Sequence, residues 1–106
     1  MKRKKRDEVL DHFLNEMRKQ LGHHLKQVVL FGSRARGDDV PCSDYDCLAI
    51  LDKVSPSTKD VIDEIAGEIL YQHGAVVSVL PVAEDEYHQQ LYSPLLMNAR
   101  REGIVL

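Results

Sequence analysis

Val28-Val29-Leu30-Phe31-Gly32-Ser33-Arg34-Ala35-Arg36-Gly37, followed at Ser43-Asp44-Tyr45-Asp46-Cys47-Leu48-Ala49-Ile50-Leu51, is the stretch whose reading decides the fold. An apolar run breaks at Gly-Ser, and a second apolar run opens with Asp-x-Asp. The pattern reads as strand, tight polar turn, strand. Gly32 lets the backbone bend sharply and approach a ligand with no Cβ in the way. Ser33 supplies a hydroxyl and a main-chain N–H at the start of a short helix, where unpaired amides favour an anion. Asp44 and Asp46 lie two apart, so a strand sends both carboxylates to one face while Tyr45 and Cys47 point to the other.

Two carboxylates on one face repel each other unless a cation sits between them. Hard oxygen ligands of this kind suit magnesium, which takes the rest of its shell from water and substrate phosphates. A nucleoside triphosphate held at Gly32-Ser33 would complete that shell. Arg34 and Arg36 are the cations of the turn, and a planar guanidinium reaching the triphosphate would neutralise charge through paired hydrogen bonds. For Arg36 an alternative stays open, a pairing with a neighbouring carboxylate that only fixes the turn.

Gly32-Ser33, ten residues, then Asp44-x-Asp46 resembles the signature of the DNA polymerase β type nucleotidyltransferase superfamily. The fuller text, Phe31-Gly-Ser-Arg-Ala-Arg-Gly37 followed by Ser43-Asp-x-Asp46, is similar to its minimal nucleotidyltransferase (MNT) branch, small prokaryotic proteins often paired with a HEPN-domain partner. The resemblance implies an α+β nucleotidyltransferase fold, two layers with a mixed β-sheet and helices packed on one face. It implies that Asp44 and Asp46 hold Mg2+, in a two-metal site, while Gly32, Ser33, Arg34 and Arg36 bind the nucleotide. Relatives in this superfamily place a third carboxylate on a later strand. By position it would fall at Ser78, ahead of Val79 and Leu80, and a serine neither serves as a base near neutral pH nor holds a metal as a carboxylate does.

Composition bounds what surrounds this centre. At 106 residues and 43% hydrophobic content the chain can bury one core, so residues 1–106 are expected to form a single domain. Five of the fourteen basic residues lie in Lys2-Arg3-Lys4-Lys5-Arg6, expected to be a mobile tail, and the remainder carries nine basic and seventeen acidic side chains, near −8. An acidic body argues against a nucleic-acid groove. Cys42 and Cys47 form no disulfide framework and suit a reducing cytoplasm. No run is long and apolar enough to span a membrane.

Outward from the centre, Val9, Leu10, Phe13, Leu14, Met17 and Leu21 recur at the spacing of one helix face, predicting a helix from about Arg6 to Leu21 that Gly22 ends. His23-His24 read as loop. Leu25–Phe31 reads as the first strand, with about one helical turn from the Gly-Ser bend to Gly37, and Asp38–Ser43 as a polar connection. The second strand runs from about Asp44 to Leu51, and its unbroken apolar part predicts a central place in the sheet. Ser55 and Pro56 open a helix with Val61, Ile62, Ile65, Ala66, Ile69 and Leu70 inward, closed by Gly74. Ala75–Val82 is the third strand. Tyr87, Leu91 and Tyr92 are expected to pack inward from a following helix. Pro94 to about Arg101 forms another, with Leu95, Leu96 and Ala99 apolar, before an edge strand at Ile104–Leu106.

The functional expectation is a Mg2+-dependent nucleotidyltransferase moving a nucleoside monophosphate, AMP foremost, from ATP or another triphosphate to a hydroxyl. The resemblance implies a partner protein as acceptor, with a HEPN toxin as that partner and this chain as its antitoxin. Small-molecule nucleotidylation is a second enzymatic possibility. Acceptor recognition in larger relatives comes from a further domain, so homo- or hetero-oligomeric assembly is expected. The alternative, favoured by Ser78, is a catalytically impaired protein of the same fold that masks its partner stoichiometrically.

Overall fold

The computed structural model describes residues 7–37, 44–89 and 94–106. The basic tract 2–6, the connection 38–43, Leu91 and Tyr92, and the side chains of Ser33, Arg36, Leu95 and Ala99 lie outside the described residues. The elements run α1 (Glu8–Leu21), a 3-10 turn (Gly22–His24), β1 (Leu25–Phe31), α2 (Ser33–Arg36), β2 (Tyr45–Leu51), α3 (Pro56–His73), β3 (Val77–Ala83), α4 (Glu84–Gln89), α5 (Pro94–Glu102) and β4 (Ile104–Val105). The four strands form one mixed sheet in the order β3-β2-β1-β4. β1 pairs antiparallel with β2 and with β4, while β2 and β3 run parallel. A parallel pair needs a crossover, and α3 provides it.

The caps explain where the helices begin. Asp7 accepts hydrogen bonds from the Val9 and Leu10 amides through Oδ1, so α1 starts at Glu8, one residue ahead of its apolar stripe. Ser55 and Thr58 make a reciprocal capping box with Pro56 at the first helical position, and Gly74 closes α3 in the left-handed region.

Alternation along the strands divides the interior into two clusters. Val28 and Leu30 of β1, Tyr45, Cys47, Ala49 and Leu51 of β2 and Val77 of β3 join Phe13 and Met17 of α1 and Ile62, Ile65 and Ile69 of α3. Phe13, Met17, Leu51 and Ile69 are fully buried there, each contributing roughly 1.5–3 kcal/mol. The intervening residues Val29, Leu48 and Ile50 face the other way, where Leu96 of α5 covers them and Phe31, Val82 and Tyr87 pack at the margin. Thus β2 is covered on both faces, as its unbroken apolar run requires, and α4 and α5 add a partial second cover to the two-layer arrangement. Leu70, expected inward, is 51% exposed, because it follows Ile69 around the helix and lies past the edge of the buried stripe. Pro81 occupies β3 opposite Ala49, and β3 is an edge strand, the place where a missing N–H is tolerated. No helix among the described residues is long and apolar enough to cross a membrane.

Candidate active site

The acidic pair sits where the Gly-Ser bend meets the start of β2. Phe31 and Asp46 are register partners in the β1/β2 ladder, so the bend leaving β1 begins beside Asp46. Gly32 has φ +77°, and a Cβ there would lie 2.6 Å from Asp46 Oδ2, closer than any real side chain tolerates. Glycine is therefore needed twice over, for the left-handed backbone and for the space the carboxylate occupies. The turn itself continues as α2, with the Ala35 N–H donating to the Gly32 carbonyl.

Asp46 alternates with Tyr45 and Cys47, which are buried on the α1/α3 face, and shares the opposite face with Leu48. Partial burial raises the Asp46 carboxyl above its ordinary value, and the charge of Asp44 raises it further. The two carboxylates feel each other, which is the frustration a cation would relieve. Asp44 is exposed. The Gly32 space, the oxygen-only donors and the raised Asp46 carboxyl together fit a hard divalent cation.

The third side of this centre is occupied by Ser78. In the parallel β2/β3 ladder Ser78 is the partner of Asp46, and its neighbours Val77 and Val79 turn to the covered face. Ser78 itself is exposed. Glu84 and Asp85, the nearest acids after β3, open α4 six and seven residues later. At about 3.3 Å per strand residue they are some 20 Å along the sheet from Ser78, too far to stand in.

Arg34 lies against Tyr45. Its guanidinium carbon lies 3.9 Å from the centroid of the Tyr45 ring, on the side of β2 away from Asp46. Tyr45 in turn donates its hydroxyl hydrogen to Asp7 Oδ2 at 2.7 Å, so the cap of α1 braces the residue between the two acids. Sequence reading missed this link, although an acid just ahead of an apolar stripe is the signal for a cap. Cys47 is no nucleophile: burial, then the Asp46 charge, push its thiol up to about 12.

Comparison with known proteins bears on the family and the fold. The family model for the nucleotidyltransferase domain matches residues 10–101. Two proteins of Methanocaldococcus jannaschii, each bearing the name "Putative protein adenylyltransferase", are 31% identical over 91% of this chain and 67% of their own length in one case, and 26% over 94% and 96% in the other. Among solved structures, a mutant of the toxin-antitoxin MntA-HpeT superposes with a TM-score of 0.67 at 14% identity, covering 90% of this chain and 69% of the other. A toxin-antitoxin crystallised with AMP-PNP gives 0.64 at 14% identity, with coverage of 90% and 69%. At such identities the structures establish likeness of fold. With a family model spanning most of its length and one relative above 30% identity, the chain belongs to the nucleotidyltransferase domain family.

Proposed function

We propose that this chain transfers AMP from ATP to a hydroxyl on a partner protein, a HEPN-type toxin, and acts as its antitoxin. One observation carries the reading most directly: the space left by the Gly32 Cβ is filled by Asp46 Oδ2, so the phosphate-sized bend and the second acid of the pair share one small volume. Support for the donor and acceptor comes from the names of the curated relatives, and for a paired partner from the toxin-antitoxin structures of the same fold.

The acceptor oxygen forms a bond to the α-phosphorus of ATP, the bond to the departing pyrophosphate breaks, and the hydroxyl proton is released. Such a transfer is mostly positioning and charge neutralisation. Asp44 and Asp46 would hold magnesium, which supplies neutralisation of the triphosphate oxygens when bound. Gly32 and Ser33 contribute main-chain N–H groups at the start of α2. Arg34, stacked on Tyr45, holds the base of the turn in position. With Ser78 rather than a carboxylate in register with Asp46, the described residues of β3 offer no base for the acceptor proton, and transfer would be slow by comparison with a site that has one.

The test is label transfer from α-labelled ATP with Mg2+, with and without the product of the neighbouring gene. Label on the partner that disappears in Asp44→Asn/Asp46→Asn supports the reading; an unlabelled partner under all conditions refutes it. Ser78 favours a second reading, stoichiometric masking of the partner. That reading wins if the double variant neutralises the partner as well as the parent chain does.

A further inference from the structure

On the far side of the sheet from Asp46, α1 and α3 bring together four side chains that the transfer reaction does not use. We infer that His12, Glu16 and Glu68 form a binding site for a borderline divalent cation of the Zn2+ type, with His73 as its orienting partner. One potential ligand atom from each of His12, Glu16 and Glu68 lies within 4.8 Å of those of the other two. His12 Nε2 stands 4.0 Å from Glu16 Oε1, too long for a hydrogen bond and suited to a shared ion.

The surrounding bonds aim these atoms inward. Gln20 donates its amide to Glu16 Oε2 at 3.1 Å, and Gln72 donates to Glu68 Oε1 at 3.0 Å, so each carboxylate is held by one oxygen and keeps the other for a ligand role. His12 Nδ1 and His73 Nε2 are 2.9 Å apart, from residues sixty-one positions apart in sequence. A nitrogen–nitrogen hydrogen bond needs one unprotonated ring nitrogen, so at least one of these imidazoles is neutral. With His12 Nδ1–H donating to His73, its Nε2 lone pair faces the carboxylates, the arrangement by which metal-ligating histidines are commonly oriented.

The donor set explains the choice of ion. Imidazole with two carboxylates suits Zn2+ and its neighbours, whereas the all-oxygen pair Asp44/Asp46 suits magnesium. The side chains of His12 and Glu16 are only 24% and 20% exposed, and the site spans two helices, so a bound ion would tie α1 to α3. A second cluster, His23, His24 and Asp52, also falls within 4.8 Å, but its three residues are all exposed and His24 already bonds Asp52 at 2.8 Å. It serves as the internal control.

The experiment is calorimetric titration of Zn2+ into the full chain in millimolar Mg2+, beside His12→Gln, Glu16→Gln/Glu68→Gln, His73→Phe and His24→Asn. One equivalent should be lost in the first two variants, weakened roughly 10- to 100-fold in His73→Phe, and kept in His24→Asn. Retention of that equivalent in Glu16→Gln/Glu68→Gln, its loss in His24→Asn, or no saturable uptake by the parent chain overturns the assignment. Ring-nitrogen NMR of the unmutated chain decides the matter independently of variant folding. Zinc must shift His12 Nε2, and a shift at His24 alone or at neither ring refutes the site.

Discussion

The covered face of the sheet and the face bearing Asp46 are made from alternate residues of the same strands, yet they are closed in different ways. Under α1 and α3 lies an apolar cluster that includes Phe13, Met17, Leu30, Cys47 and Ile69. On the other side Leu96 covers Leu48 and Ile50, and the end of β2 that carries Asp46 keeps a carboxylate of raised pKa beside an exposed serine. The difference teaches that one face supplies the stability that lets the other hold two like charges close together. Stability and chemistry are interleaved at a spacing of one residue.

That division can be broken at several points. Phe13→Ala empties the covered face and should cost about 3–5 kcal/mol in chemical denaturation, with any transfer activity of the remaining folded fraction intact. Asp46→Asn should do the reverse, lowering Mg2+-dependent label transfer by about 10^3-fold, roughly 4 kcal/mol of barrier, while the melting temperature holds or rises. A melting temperature that falls as far as in Phe13→Ala would show that both faces bear on stability alike. Gly32→Ala should damage both properties. A left-handed φ costs about 1–2 kcal/mol with a Cβ present, and the added methyl must displace Asp46 Oδ2, so activity should fall with stability.

Two further changes sharpen the comparison. Ser78→Asp places a carboxylate in register with Asp46, and transfer should rise about tenfold or more; no gain in single-turnover rate would mean that the third position lies elsewhere. The smallest effect is the pH dependence. Because the folded Asp46 carboxyl titrates above its ordinary value of 3.8, its contribution to stability is fully present below that value and is lost as pH rises through the folded value. The parent chain should therefore lose stability across that window relative to Asp46→Asn, and millimolar Mg2+ should restore it. Identical pH profiles for the two chains would contradict the raised carboxyl.

Much of this arrangement was legible in the residues. Leu25–Phe31 forms a strand with the expected ends, since an apolar run stopped by Gly32 leaves little choice, and Ser55-Pro56 marks the start of α3 because caps are local chemistry. The placement of Asp46 and Ser78 side by side follows from β2 and β3 pairing in parallel, which a crossover helix makes natural. What escaped notice depended on distance. The bond from Tyr45 to Asp7 and the meeting of His12 with His73 join residues far apart in the chain, and no periodicity announces them. Arg34 illustrates the same limit, for its neighbour along the chain gives no sign that its guanidinium lies over an aromatic ring on the opposite side of β2. Leu70 shows a further one: an apolar residue adjoining a buried stripe is not thereby inside it.

Pro81 carries a consequence for how another protein could visit this centre. A rim strand with free amides invites a foreign strand to zip alongside it, and a proline midway along β3 interrupts the row of donors such zipping needs. Ser78 stands on that same rim. Under the proposed transfer, a visitor bringing a hydroxyl to Asp46 would descend onto the sheet from above rather than add a strand beside β3.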